Sequence, residues 1–180
     1  MQIHDQNTVL DELLETYRDA LAGDFDAYRN HCYRVLNFAL IQCENTADTI
    51  NKIAIAAAFH DLGIWQARTF DYLAPSRRLA RDYLIASERS DWIADVDIMI
   101  ANHHKLRRHR HLPVDALPEV FRRADWVDVS RGVLCFDLPR TFVADVMAHF
   151  PGEGFHKRLV QLTLKRMMTH PFSPLPMMRL

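Results

Sequence analysis

Glycine is scarce, with five residues in 180, and strand-type alternation of apolar and polar residues is nearly absent. A chain with so few turn formers and no period-two pattern is not a sheet protein. Cysteine is scarcer still. Cys32, Cys43 and Cys135 are an odd number at wide spacing, which argues against a disulfide framework and a CxxC zinc site and suits a reduced state. Charge of one sign is missing too: 22 Lys and Arg stand against 23 Asp and Glu, a net charge of -1, so no global field draws in a polyanion and no specific nucleic-acid partner is expected. No apolar run approaches the roughly 18 residues of a membrane span. The start, Met1-Gln2-Ile3-His4-Asp5, has neither the basic head nor the apolar core of a signal peptide. The expectation is a cytoplasmic protein with no membrane partner.

Helical periodicity is what the chain has instead, and an all-α fold of seven or eight helices follows. Amphipathic stretches predict helices over Thr8–Ala22, with Gly23 as the stop, and over Phe25–Glu44. A third, Ala47–Asp61, is apolar on nearly all sides in its second half, which marks it as the central buried element, and Gly63 supplies a left-handed stop. Ser76–Glu88, a helix capped by Asp91 and running into Asn102-His103-His104, Pro118–Ser130, Pro139–Phe150 and Gly154–Thr169 complete the set. The tail His170-Pro171-Phe172-Ser173-Pro174-Leu175-Pro176 cannot continue a helix and is expected to lie extended over the body or a second subunit. The length suits one domain spanning residues 1–180, and its amphipathic C-terminal helices allow a homodimer.

Ten histidines are many for this length, and imidazole is the commonest metal ligand. The most informative pair is His60-Asp61, at the end of the apolar run Ile53-Ala54-Ile55-Ala56-Ala57-Ala58-Phe59. An ionised carboxylate at the end of a buried helix is costly unless something cationic holds it, and the adjacent imidazole suggests a metal. His31 upstream and Asp125 downstream are the candidate partners, each in a helical pattern of its own. Together the four give two imidazoles and two carboxylates, a set that suits a hard or borderline divalent ion and leaves coordination positions open. Asp125 competes with Asp128, three residues on, which either supports the site from behind or lies at the surface. His103 and His104, if helical, point about 100° apart, so one faces the substrate and the other is structural. Lys105, Arg107, Arg108, Arg77, Arg78 and Arg122 are candidates to pair with a phosphate. His109 and His111 could add metal affinity, though a flexible basic loop is the plainer account. Trp65 and Tyr72, just beyond the metal pair, are candidates to line a pocket.

These pieces resemble the HD superfamily of metal-dependent phosphohydrolases. The resemblance is carried by His31 within Tyr28-Arg29-Asn30-His31-Cys32-Tyr33-Arg34-Val35, by Phe59-His60-Asp61-Leu62-Gly63, by Ile100-Ala101-Asn102-His103-His104-Lys105 and by Arg122-Arg123-Ala124-Asp125-Trp126. It covers about residues 28–130, with C-terminal helices and tail over 139–180. It implies an all-helical fold and a divalent-metal centre on His31, His60, Asp61 and Asp125. Catalysis then involves Asp61, His103 and His104, and the substrate is a small phosphorylated molecule such as a nucleotide, attacked as a monoester or diester. Some nucleotidases of the family carry Glu three residues after the Asp, and the cyclic-dinucleotide branch carries Lys; Ile64 stands here and weakens both sub-readings. Binuclear branches, the di-iron oxygenases among them, use a further His between the His-Asp pair and the later histidines. No histidine lies between Asp61 and Asn102. The expectation is therefore one divalent ion per chain, with manganese, nickel, cobalt, iron, magnesium and zinc not distinguished. Ile64 also motivates an alternative, a catalytically weak metal- and nucleotide-binding regulatory protein.

Overall fold

A computed structural model describes residues 2–108 and 111–169, and those residues form helices with no strand among them. The helices are α1 (Thr8–Thr16), α2 (Arg18–Leu21), α3 (Phe25–Leu40), α4 (Ala47–Phe59), α5 (Gly63–Gln66), α6 (Leu73–Ala86), α7 (Ile93–Asn102), α8 (Leu117–Val129), α9 (Arg140–His149) and α10 (Phe155–Thr169). All but the single turns α2 and α5 are nine residues or longer, which gives eight substantial helices. The expected extended tail at 170–176 and His109 lie outside the described residues. No helix among the described residues is long and apolar enough to cross a membrane.

The core is a layer of α3, α4, α7 and α8, flanked by α1, α6 and α9. In α4 every residue from Ile53 to Phe59 is buried, and its alanines let neighbouring backbones approach closely. Tyr28 and Cys32 of α3 reach across to it, Tyr28 Oη donating to Ala58 O at 3.0 Å and Cys32 Sγ to Ala57 O at 3.1 Å. Side-chain caps start two of the helices: Asn7 accepts from Leu10 N at 2.9 Å, and Thr46 from Thr49 N at 3.1 Å. The link from α9 to α10 is strapped onto α3, with Phe150 O accepting from Arg34 Nη1 and Pro151 O from Asn30 Nδ2, both at 2.9 Å.

Several expected boundaries shift, each for a local reason. The first helix is not continuous to Ala22: Tyr17 leaves the helical basin (φ −107°, ψ 13°) and sets its ring edge-on to Phe59 at 5.8 Å. The left-handed turn after it falls on Ala22 (φ 47°) rather than Gly23. Helix α3 stops at Leu40, short of Glu44. Asp91 sits inside the 3-10 turn Ser90–Trp92 and makes no cap for α7. Gly63 is not a left-handed stop either, because it opens α5. Its missing side chain is needed there: a Cβ would stand 2.6 Å from Tyr72 O and 2.9 Å from Ser76 Oγ, while its own N–H donates to Ser76 Oγ at 2.9 Å. Gly63 thus seats the start of α6, and with it Tyr72, against the end of α4.

Candidate metal centre

Four helices and the turns that end two of them converge on one buried cluster. His31 comes from the middle of α3, His60 and Asp61 from the turn that ends α4, His103 and His104 from the turn that ends α7, and Asp125 from α8. All are buried except His104, which is partly exposed.

Hydrogen-bond partners assign the imidazole tautomers. His60 Nδ1 faces Ala57 O at 2.8 Å, His103 Nδ1 faces Ile100 O at 2.7 Å, and His31 Nδ1 faces an oxygen of Asp128 at 2.5 Å. Each Nδ1 therefore carries its proton outward, and each Nε2 turns a lone pair inward. His31 Nε2 and His60 Nε2 stand 2.9 Å apart, two acceptors face to face, an arrangement that asks for a cation between or beside them.

The carboxylates close the same space. Asp61 Oδ2 is 3.9 Å from His31 Nε2 and 3.5 Å from His60 Nε2, and Asp125 Oδ1 is 3.7 and 3.8 Å from the same two nitrogens. Donors held about 2.1 Å from one ion lie roughly 3.0–3.4 Å apart in right-angled to tetrahedral arrangements, so small side-chain movements suffice to close on a shared ion. Four buried atoms here have no hydrogen-bond partner: Asp61 Oδ1, both oxygens of Asp125 and His103 Nε2. Unpaired polar atoms at this depth are costly, and a divalent ion with its water would satisfy them. The residues fit such an ion.

Electrostatics agree. Burial pushes His60 down to about 3 and His104 well below the usual imidazole range, so both are neutral, as ligands must be. Burial pushes the Asp125 carboxyl up to about 7. For Asp61 burial acts upward as well, but His103, whose Nε2 faces it at 3.4 Å, holds the carboxyl well below its ordinary value, and Asp61 and Asp125 in turn push His103 up against the pull of burial. Among the described residues the only basic side chains within 4.0 Å of Asp61 and Asp125 are His31, His60, His103 and His104, so neither carboxylate is met there by a lysine or an arginine.

His103 and His104 both turn toward Asp61, with Nε2 atoms 3.4 and 4.0 Å from its Oδ1. The helical argument that separates them does not apply, because α7 ends at Asn102 and leaves both in a turn, their ring centres 4.0 Å apart. Asp61, His103 and His104 thus form a second ligand-like trio that shares Asp61 with the first, His31, His60 and Asp61. Tyr72 Oη bonds His104 Nε2 at 2.6 Å. Trp65 packs behind Tyr28, with ring centres 4.8 Å apart, and donates to Asp24 at 2.9 Å.

The basic candidates are placed unevenly. Arg77 makes a two-pronged pair with Asp97 at 2.7 Å near the surface, and Arg122 does the same with Glu119 at 2.7 and 2.8 Å. Arg107 and Arg108 are exposed, as is His111, while Lys105 is half-buried beside His104. Asp128 is fully buried, so of its two expected positions it takes the one behind the site. Arg34 and Phe155 also belong to the cluster and were not anticipated: Arg34 holds Asp128, and Phe155 stacks on His31 with ring centres 4.0 Å apart. The signal for Arg34 was present, since an arginine one turn from His31, amid Cys32, Val35 and Leu36, needs a buried carboxylate. Nothing in the sequence pointed to Phe155.

Residues 28–130 match the protein family described as HD domain. No curated protein and no solved structure matches the chain.

Proposed function

The chain belongs to the HD-domain family, whose members are generally metal-dependent hydrolases, and from that premise we propose that it hydrolyses a small phosphate ester such as a nucleotide. The observation that supports this best is the set of inward-facing, unpartnered atoms on His103, Asp61 and Asp125, beside the opposed nitrogens of His31 and His60. His31, His60, Asp61 and Asp125 hold one divalent ion, since they offer four donors, whereas the trio of Asp61, His103 and His104 has three and borrows one of them. When bound, such an ion lowers the pKa of a coordinated water toward about 7 and polarises a phosphoryl oxygen. His103 and His104 then lie beside Asp61, facing the space a phosphate would take; of the two, His103, pushed up by Asp61 and Asp125 against burial, is the one that can carry a proton at Nε2 and give it to the leaving oxygen. Tyr72 fixes His104 in that position. Lys105 and Arg107 take the phosphate contacts, because the guanidinium groups of Arg77 and Arg122 are occupied by Asp97 and Glu119.

Metal analysis of protein purified without chelator or histidine tag, followed by a phosphatase and phosphodiesterase panel with several divalent ions, tests the reading. About one equivalent of metal, ion-dependent turnover, and loss of both in Asp61→Ala are expected. Full activity in metal-free Asp61→Ala overturns it. Stoichiometric metal and tight nucleotide binding with no turnover across the panel would favour the regulatory alternative instead.

A further inference from the structure

Three of the four imidazoles in the cluster, His31, His60 and His103, share one polarity, but they are held to it by different means. His60 and His103 each stand just past a helix end and bond carbonyls three residues back, Ala57 O and Ile100 O. Those oxygens belong to final turns whose carbonyls have no amide left to accept. Their orientation is therefore local. His31 has no such oxygen available, because it lies inside the 16-residue α3, where the helix uses its own carbonyls. Its Nδ1–H is met from another helix, by Asp128 of α8 at 2.5 Å. Asp128 is in turn gripped by Arg34, whose Nε donates to Oδ1 and whose Nη2 donates to Oδ2 at 3.0 Å. Arg34 Nη1 is anchored to Phe150 O at 2.9 Å. All three side chains are fully buried.

We propose that Asp128 is a positioning residue: held in place by Arg34, it fixes His31 as the Nδ1–H tautomer with Nε2 aimed into the cluster, and so sets how tightly the chain holds its divalent ion. A carboxylate partner also makes an imidazole a more basic ligand than a carbonyl partner does, so His31 is the strongest of the three donors. The inference rests on the metal-binding part of the proposed function and not on hydrolysis.

Two measurements test it, with Zn²⁺ as the probe ion. In the wild-type chain, ¹⁵N histidine spectra should show His31 protonated at Nδ1; an Nε2–H tautomer in the metal-free protein overturns the proposal without any variant. The second is the paired substitution Arg34→Met with Asp128→Leu, which replaces a buried ion pair by apolar groups, a change often neutral for folding. If the pair merely holds the fold, this variant keeps the wild-type His31 tautomer and Zn²⁺ affinity. If Asp128 positions His31, the variant melts near the wild type, loses the fixed tautomer, and binds Zn²⁺ about 10- to 100-fold more weakly in chelator competition. Wild-type Zn²⁺ affinity in the folded pair variant overturns the proposal. If the pair variant shows these binding effects while the wild-type chain cleaves no phosphate ester, the proposed activity alone is overturned.

Discussion

The inner and outer faces of the buried histidine and aspartate cluster follow opposite rules. On the inner face, polar atoms confront one another with no partner: the Nε2 pair of His31 and His60, both oxygens of Asp125, one of Asp61 and the Nε2 of His103. On the outer face each polar group is matched, His60 and His103 by carbonyls, His31 by Asp128, and Asp128 by Arg34. Burial acts upward on both Asp125 and Asp128, yet the outcomes diverge. Asp125 is pushed up to about 7, whereas His31 and Arg34 hold Asp128 well below the ordinary carboxylate range. The outer face is therefore satisfied within the protein, and the inner face is left with unpaired polar atoms that a divalent ion would satisfy.

That division can be broken from either side. The largest effect should come from the outer face. Arg34→Ala removes one partner of a buried pair and is expected to cost about 3–5 kcal/mol of folding stability, read by urea denaturation; a loss below about 1 kcal/mol means that the pair is not structurally coupled. On the inner face, stability should depend on metal. Chelating an ion present at 100 times its dissociation constant removes about 2.7 kcal/mol, or roughly 5–10 °C of melting temperature, and Asp61→Ala should show no such shift. Equal response to chelator in both proteins contradicts the assignment of Asp61 as a ligand.

The third effect depends on pH. In the metal-free protein the Asp125 carboxyl is raised from 3.8 to about 7. A carboxyl raised on folding contributes stability that is fully present below its unfolded pKa and is lost as pH rises through its folded one. Metal-free wild type should thus weaken between about pH 4 and 7, where Asp125→Asn does not. The pH-dependent part of the difference should favour the variant at pH 8 and vanish at pH 4. Melting in chelator across that range decides it, and a difference independent of pH assigns the effect to packing rather than charge.

The helical class was readable from apolar spacing, which carries through buried helices such as α3 and α4 and places each candidate on a face, whereas the meeting of His31, His60, Asp61 and Asp125 followed from the family resemblance, because spacing does not say which helices adjoin. What escaped depends on where a helix stops. The end of α7 at Asn102 frees His103 and His104 to share Asp61, and helix ends are set by turns rather than by apolar rhythm. Gly63 illustrates the same limit: a glycine after a helix reads as a left-handed stop, but here it makes room for Tyr72 O, a contact with a residue that no local pattern links to it. Phe155 is more distant still, since its stacking on His31 joins residues far apart in sequence.

Phe155 and the Phe150 carbonyl bear on how this protein should be cut. Both lie beyond the family match, which ends at Ser130, yet one covers the ring of His31 and the other fastens Arg34. A fragment trimmed to residues 28–130 would keep every metal-ligand candidate while stripping His31 of its cover and Arg34 of its anchor. Expression clones and deletion series meant to retain the centre should therefore extend through α10.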